Sequence, residues 1–132
     1  VLILSAALRS QLLAAARGAF PAECCGLLEG VREEGAVTVT AFHPAANTSP
    51  APQEAFEIDP AVQFALQRNL RGTGRNVVGC YHSHPNGRAE PSPRDRAHIY
   101  PEGFVWVIIA TGVIETFAAF EAPSFQPLTI RV

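Results

Sequence analysis

The chain of 132 residues has no lysine and no methionine. Its ten cationic side chains are all arginine. Without lysine, no side-chain amine can receive a ubiquitin-type tag. Without methionine at the front, the natural start is expected to have been removed or trimmed. Alanine, arginine, proline and glycine are frequent, as composition bias in a source genome would make them. Charge is sparse: 17% of residues are charged and the formal net charge is −2. That balance excludes a general polyanion binder, so no nucleic-acid partner is expected. Cysteine is scarce too, at three residues, Cys24, Cys25 and Cys80. An odd count without regular spacing is not a disulfide framework, and it points to a reducing, cytoplasmic setting. No C-x-x-C pair is present, so a thiolate zinc site is not expected. Long apolar runs are absent as well. Residues 1–8 are apolar but lack a basic leader, and Arg9 and Gln11 break the run. Neither a signal peptide nor a membrane span is expected.

Hydrophobic residues nevertheless make up 48% of the chain. That is enough for a buried core at this length, and one domain over residues 1–132 is expected. Residues 1–4 read as a short strand. Ser5 is an N-cap for a helix over residues 6–17, with Gly18 as its stop. Leu8, Leu12, Ala15 and Ala19 recur on one helical face. Residues 23–30 read as a strand, Glu33-Glu34-Gly35 as a turn, and residues 37–42 as a returning strand. Residues 44–52 read as a loop and 55–58 as a short strand. Asp59-Pro60 opens a second helix that ends near Gly72. Residues 76–82 form a strand candidate. Residues 104–110 are continuously apolar, as in a strand covered on both faces. Residues 114–120 and 128–132 read as the last strands. Strands mixed with three helices give an α/β or α+β architecture.

The segment His82-Ser83-His84-Pro85 through Ser92-Pro93-Arg94-Asp95 carries chemistry. Two histidines at i and i+2 on a strand face the same way, so both imidazoles can meet one metal ion. Ser92 opens a helix with Pro93 first and Asp95 at the third position. Taken alone, this is a capping box that needs no metal. Folded back over the histidines, however, Asp95 becomes a third ligand. Two His and one carboxylate leave a position open, the pattern of a catalytic rather than a structural zinc. A base and an oxyanion donor are then needed. Ser92 suits the second task. Glu23, a charge ahead of an apolar strand, is the candidate for the first.

His82-Ser83-His84, seven residues beginning with Pro85, then Ser92-x-x-Asp95 resembles the JAMM (MPN+) metalloprotease motif. Glu23-Cys24-Cys25-Gly26 resembles its upstream E-x-C-G strand, and Val78-Gly79-Cys80-Tyr81 its lead-in to H-x-H. The resemblance implies a curved mixed β-sheet flanked by helices, similar to cytidine deaminases, though their P-C-x-x-C is absent here. It implies one Zn2+ per chain, held by His82, His84 and Asp95. It also implies a zinc-bound water oriented by Glu23, with Ser92 supporting the tetrahedral intermediate. The implied substrate is the amide bond after the C-terminal Gly-Gly of a ubiquitin-like protein. The chain resembles compact prokaryotic members, which act on ubiquitin-like sulfur-carrier proteins or small conjugates. It has little room for the insertions that give linkage selectivity. Two rivals remain: a RadC-like domain with a similar H-x-H-P…S-x-x-D stretch, and a non-catalytic MPN scaffold. A homodimer is left open.

Other residues are read more plainly. Cys80 stands where many members carry Trp, on the His82 and His84 face. It is a small wall residue or, alternatively, an extra ligand or redox switch. His43 is expected in solvent and Cys25 as an inert buried thiol. His98 is read as an ordinary helix residue or a support to the site. Trp106 is read as core. Residues 47–54 are a candidate flap over an extended peptide.

Overall fold

The computed structural model describes residues 1–132. Eleven elements follow in order: β1 (Leu2–Ile3), α1 (Ala6–Ala19), β2 (Cys25–Glu33), β3 (Ala36–Ala45), α2 (Pro60–Leu70), β4 (Asn76–His84), α3 (Pro93–Arg96), β5 (Val105–Ala110), β6 (Thr116–Glu121), β7 (Gln126–Leu128) and β8 (Ile130–Arg131). All eight strands join one mixed sheet in the order β7-β6-β5-β4-β2-β3-β1-β8. The β4–β5, β1–β3 and β1–β8 pairs are parallel, and the others are antiparallel. No helix is long and apolar enough to cross a membrane.

Ser5 caps α1 through its side chain, which accepts from the Leu8 N–H. The helix does not stop at Gly18. It runs on to Ala19 and ends where Pro21, which cannot donate a backbone hydrogen bond, follows Phe20. Leu12 and Ala16 are its buried residues, flanked by Leu8 and Leu13. They cover one side of the sheet, where Leu2, Leu28, Val37, Val39, Val105, Val107 and Ile109 form an aliphatic core with Tyr81.

The opposite side holds a second cluster: Cys25, Leu27, Phe56, Cys80, Phe104, Trp106, Ala122 and Phe125. α2 lies over this side with Leu70 as its one buried residue; Val62 and Phe64 are exposed. Strand β5 is buried along its whole length, as its continuous apolar run requires.

Several expected elements differ. The 23–30 strand begins at Cys25 and extends to Glu33, bent by irregular register around Leu28, Glu29 and Gly30. Residues 55–58 form no strand, because their backbone groups are taken by side chains and a loop. The Thr48 N–H donates to the Glu57 carbonyl at 2.9 Å, and the Glu57 N–H donates to Asn47 Oδ1 at 3.2 Å. The final strand divides: β7 pairs with β6, while β8 pairs with β1 at the far edge. His43 is not free in solvent. It lies on β3, and its Nε2 is 2.8 Å from Glu29 Oε1, a carboxylate that Arg75 also grips.

Candidate metal centre

The centre forms where β4 runs out. Cys25 on β2 pairs with His82, and the chain just before it crosses to β4 through Ser83. The Ser83 N–H donates to the Cys24 carbonyl, and the Cys24 N–H donates to Ser83 Oγ at 2.8 Å. Ser83 therefore faces away from the two histidines and draws Glu23 toward them. Gly26 makes this close approach possible: a Cβ there would strike the Tyr81 ring and the His43 carbonyl. The glycine of E-x-C-G and the tyrosine ahead of H-x-H are thus one packing contact.

His82 Nε2 and His84 Nε2 lie 2.9 Å apart. Asp95 Oδ2 is 3.1 Å from the first and 3.0 Å from the second. Glu23, His82 and His84 each offer a ligand atom within 4.8 Å of the others. All four side chains are buried. The capping box exists as well: Ser92 Oγ accepts from the Asp95 N–H at 3.0 Å, and Asp95 Oδ2 accepts from the Ser92 N–H at 2.9 Å. The cap and the site are not rivals. The cap fixes the carboxylate that faces the histidines.

The tautomer of His84 is set by its surroundings. Its Nδ1 lies 2.9 Å from the Arg88 carbonyl, which can only accept, so Nδ1 carries the proton. In the neutral ring Nε2 is a bare lone pair aimed at Asp95. Lone pairs facing one another at about 3 Å repel unless a cation lies between them. A proton can bridge two such groups; a metal ion satisfies all three. Zinc bonds of about 2.0–2.1 Å in a tetrahedron place ligand atoms about 3.3 Å apart. The observed spacing is a few tenths shorter, so the donor set fits.

Burial alone would lower His84, but the Asp95 hydrogen bond and charge raise it above the usual histidine value. For fully buried His82, desolvation prevails and the value falls. Burial would raise Asp95, yet its two imidazole partners hold it well below the usual carboxylate range. Glu23 moves the other way, pushed up to about 7, chiefly by burial. Its Oε1 is buried with no hydrogen-bond partner. Its backbone is pinned: the N–H donates to the Pro52 carbonyl at 2.7 Å, and its carbonyl accepts from Asn47 Nδ2 at 3.1 Å.

Cys80 shares the strand face but sits deeper, in the aromatic core, and burial raises its thiol well above the ordinary value. It is a wall residue. Burial likewise pushes Cys25 up to about 12. Trp106 is core. His98 follows α3 and stacks on Phe56, centroids 4.9 Å apart. Phe56 and Asn47 were not legible as site residues, because their roles depend on contacts far apart in sequence.

A family model described as prokaryotic homologs of the JAB domain matches residues 5–123. The chain belongs to this prokaryotic JAB family. It is 35% identical over 135 residues to a desampylase of Haloferax volcanii, covering 99% of this chain and 96% of that one. It is 39% identical over 75 residues to a probable TtuB-protein conjugate cleaving protease of Thermus thermophilus, covering 57% of this chain and 47% of that one. A crystal structure of a JAB1/MPN domain protein from Archaeoglobus fulgidus superposes with a TM-score of 0.63 at 18% identity, covering 99% of this chain and 94% of that one. The sheet and helices thus have the JAB/MPN fold, as the resemblance implied.

Proposed function

We propose that this JAB-family chain is a zinc-dependent isopeptidase or peptidase. Its substrate is the amide bond after the C-terminal Gly-Gly of a ubiquitin-like or sulfur-carrier protein. One observation carries the reading: three buried donors, on His82, His84 and Asp95, converge within 3.1 Å while His84 Nδ1 is committed elsewhere. The names of the Haloferax and Thermus relatives, a desampylase and a protease of protein conjugates, agree with it.

His82, His84 and Asp95 would hold one zinc per chain. When bound, zinc lowers the pKa of a coordinated water to about 7 and polarises a carbonyl. Glu23 takes a proton from the attacking water and returns it to the leaving amine; a carboxylate near 7 suits both directions. Ser92 Oγ accepts from Asp95, and its own O–H is free to donate to the developing oxyanion. Gly-Gly fits because the donors are almost fully buried, so side chains next to the scissile bond would block approach.

A second arrangement follows from Glu23 lying beside both histidines. There Glu23 is a ligand rather than the base. Glu23→Gln separates the two: as a base variant it keeps zinc and loses turnover; as a ligand variant it loses both.

The first test is elemental analysis of the purified protein and of His82→Ala. About one zinc per chain, lost in the variant, supports the centre and justifies assays on Gly-Gly carrier conjugates. A zinc-free wild type after metal supply would leave Ser92 and Asp95 as a helix cap. The scaffold reading would then stand.

A further inference from the structure

His82 and His84 are held in different ways. His84 has its hydrogen bond to the Arg88 carbonyl. His82 Nδ1 is buried and has no partner. Metal-ligating imidazoles almost always take their orientation from a hydrogen bond at the second nitrogen. Around His82 that support is missing, and aromatic rings stand in its place. Phe56 lies over the imidazole face, with centroids 4.3 Å apart and planes inclined by 23°. The Trp106 ring meets it edge-on at 5.6 Å and 89°. His98 stacks on Phe56 in turn, nearly parallel at 8°.

Phe56 belongs to the irregular segment between β3 and α2, yet it is buried to 1% exposure. One side chain explains how an irregular segment holds a ring so firmly. Asn47 Nδ2 donates to the Ala55 carbonyl at 3.0 Å, and Asn47 Oδ1 accepts from the Glu57 N–H at 3.2 Å. Both neighbours of Phe56 are therefore tied to Asn47. The same amide also binds the Glu23 carbonyl.

We infer that Phe56 is the positioning residue for His82: clamped through Asn47 and backed by His98, its ring aims Nε2 at the metal position in place of the missing hydrogen bond. A cation at Nε2 draws positive charge onto the imidazole, and the electron-rich face of Phe56 stabilises that charge as well as the ring angle. This rests on the metal reading above. Phe56 also lines a cavity of about 470 Å³ with Ser49, Glu57, Arg94 and His98, so the ring forms both a cavity wall and the backing of His82.

The test uses zinc-loaded protein and follows zinc release to a chelating dye, together with the visible spectrum of the cobalt-substituted form. Phe56→Leu keeps apolar bulk but removes the stack; release should quicken roughly 3- to 10-fold and the cobalt bands should shift. Phe56→Tyr restores an aromatic face and should return both readouts to wild type. Leu66→Ala, at the edge of the same cluster, lowers melting temperature and should change neither readout. Should Phe56→Leu not fold, His98→Leu removes only the outer ring, and release should quicken about twofold. Wild-type release and spectrum in Phe56→Leu, or in His98→Leu where it is the variant read, would overturn the inference and leave the metal centre standing. A wild type that binds no zinc would overturn both.

Discussion

The two sides of the sheet are built from alternate residues of the same strands, yet they differ in chemistry. Under α1 the buried residues are aliphatic apart from Tyr81, with the half-buried Phe42 and Phe117 packed at the margin. On the other side the core is aromatic and thiol-bearing, and it is covered by α2, a helix of four residues and irregular chain. Aliphatic side chains pack without strong angular preference, so a long helix can cover them by burial alone. Aromatic rings prefer particular offsets and tilts. The candidate centre lies on the side where ring angles are set, and where short, open cover leaves an approach. Stability and chemistry are thus assigned to opposite faces of one sheet.

Point changes should break that division in a fixed order. The largest effect falls on the aromatic side: Glu23→Gln should slow cleavage of a Gly-Gly carrier conjugate by on the order of 1,000-fold, with the melting temperature of the zinc-loaded protein near wild type. Full activity in that variant would remove Glu23 from the mechanism. Next comes the aliphatic side. Leu12 is fully buried under α1. Leu12→Ala should cost about 2–5 kcal/mol in chemical denaturation, with zinc content per folded chain unchanged. A loss of zinc from the folded variant would show that the two faces are coupled. Ser92→Ala removes both an oxyanion donor and one half of the cap. It should cut the rate by about 100-fold, with a stability loss of only about 1 kcal/mol.

How much of this was legible in the sequence depends on the range of the interaction. His82, His84, Ser92 and Asp95 lie within one stretch, and local periodicity puts them together: alternation aligns the histidines, and a cap turns the chain back. Glu23 stood out only as a charge ahead of an apolar strand, and the resemblance then gave it a role; nothing local says that Ser83 will tie the chain just before β2 to β4. Asn47 reads as one more polar residue in a Pro-rich loop. Its five hydrogen bonds reach the Glu23 carbonyl and both sides of Phe56. The alternation at residues 55–58 misled for the same reason: the pattern is that of a strand, but no strand edge is available there. Cys80 shows the limit of parity. It faces the right way, two residues too deep. Gly18 shows the limit of propensity: its cost of about 1 kcal/mol in a helix does not end α1, whereas Pro21 does.

The smallest predicted effect sharpens the contrast within the site itself, because its two carboxylates carry opposite signs. Asp95 is held below its ordinary value, so its contribution to stability is present above the usual carboxylate range and is lost as pH falls through the lowered folded value. Glu23 is raised from 4.5 to about 7, so the folded state favours its protonated form. Its contribution is complete below about pH 4.5 and disappears as pH rises through about 7. In metal-free protein Glu23→Gln should therefore be the more stable form at about pH 8.5, by on the order of 2–3 kcal/mol. The two should converge at about pH 4.5. Adding zinc should shrink the gap, because a nearby cation favours the carboxylate. Urea denaturation at both pH values, with and without zinc, measures it. A gap independent of pH would mean that Glu23 is already paired in the folded protein, and its place as a free base would be lost.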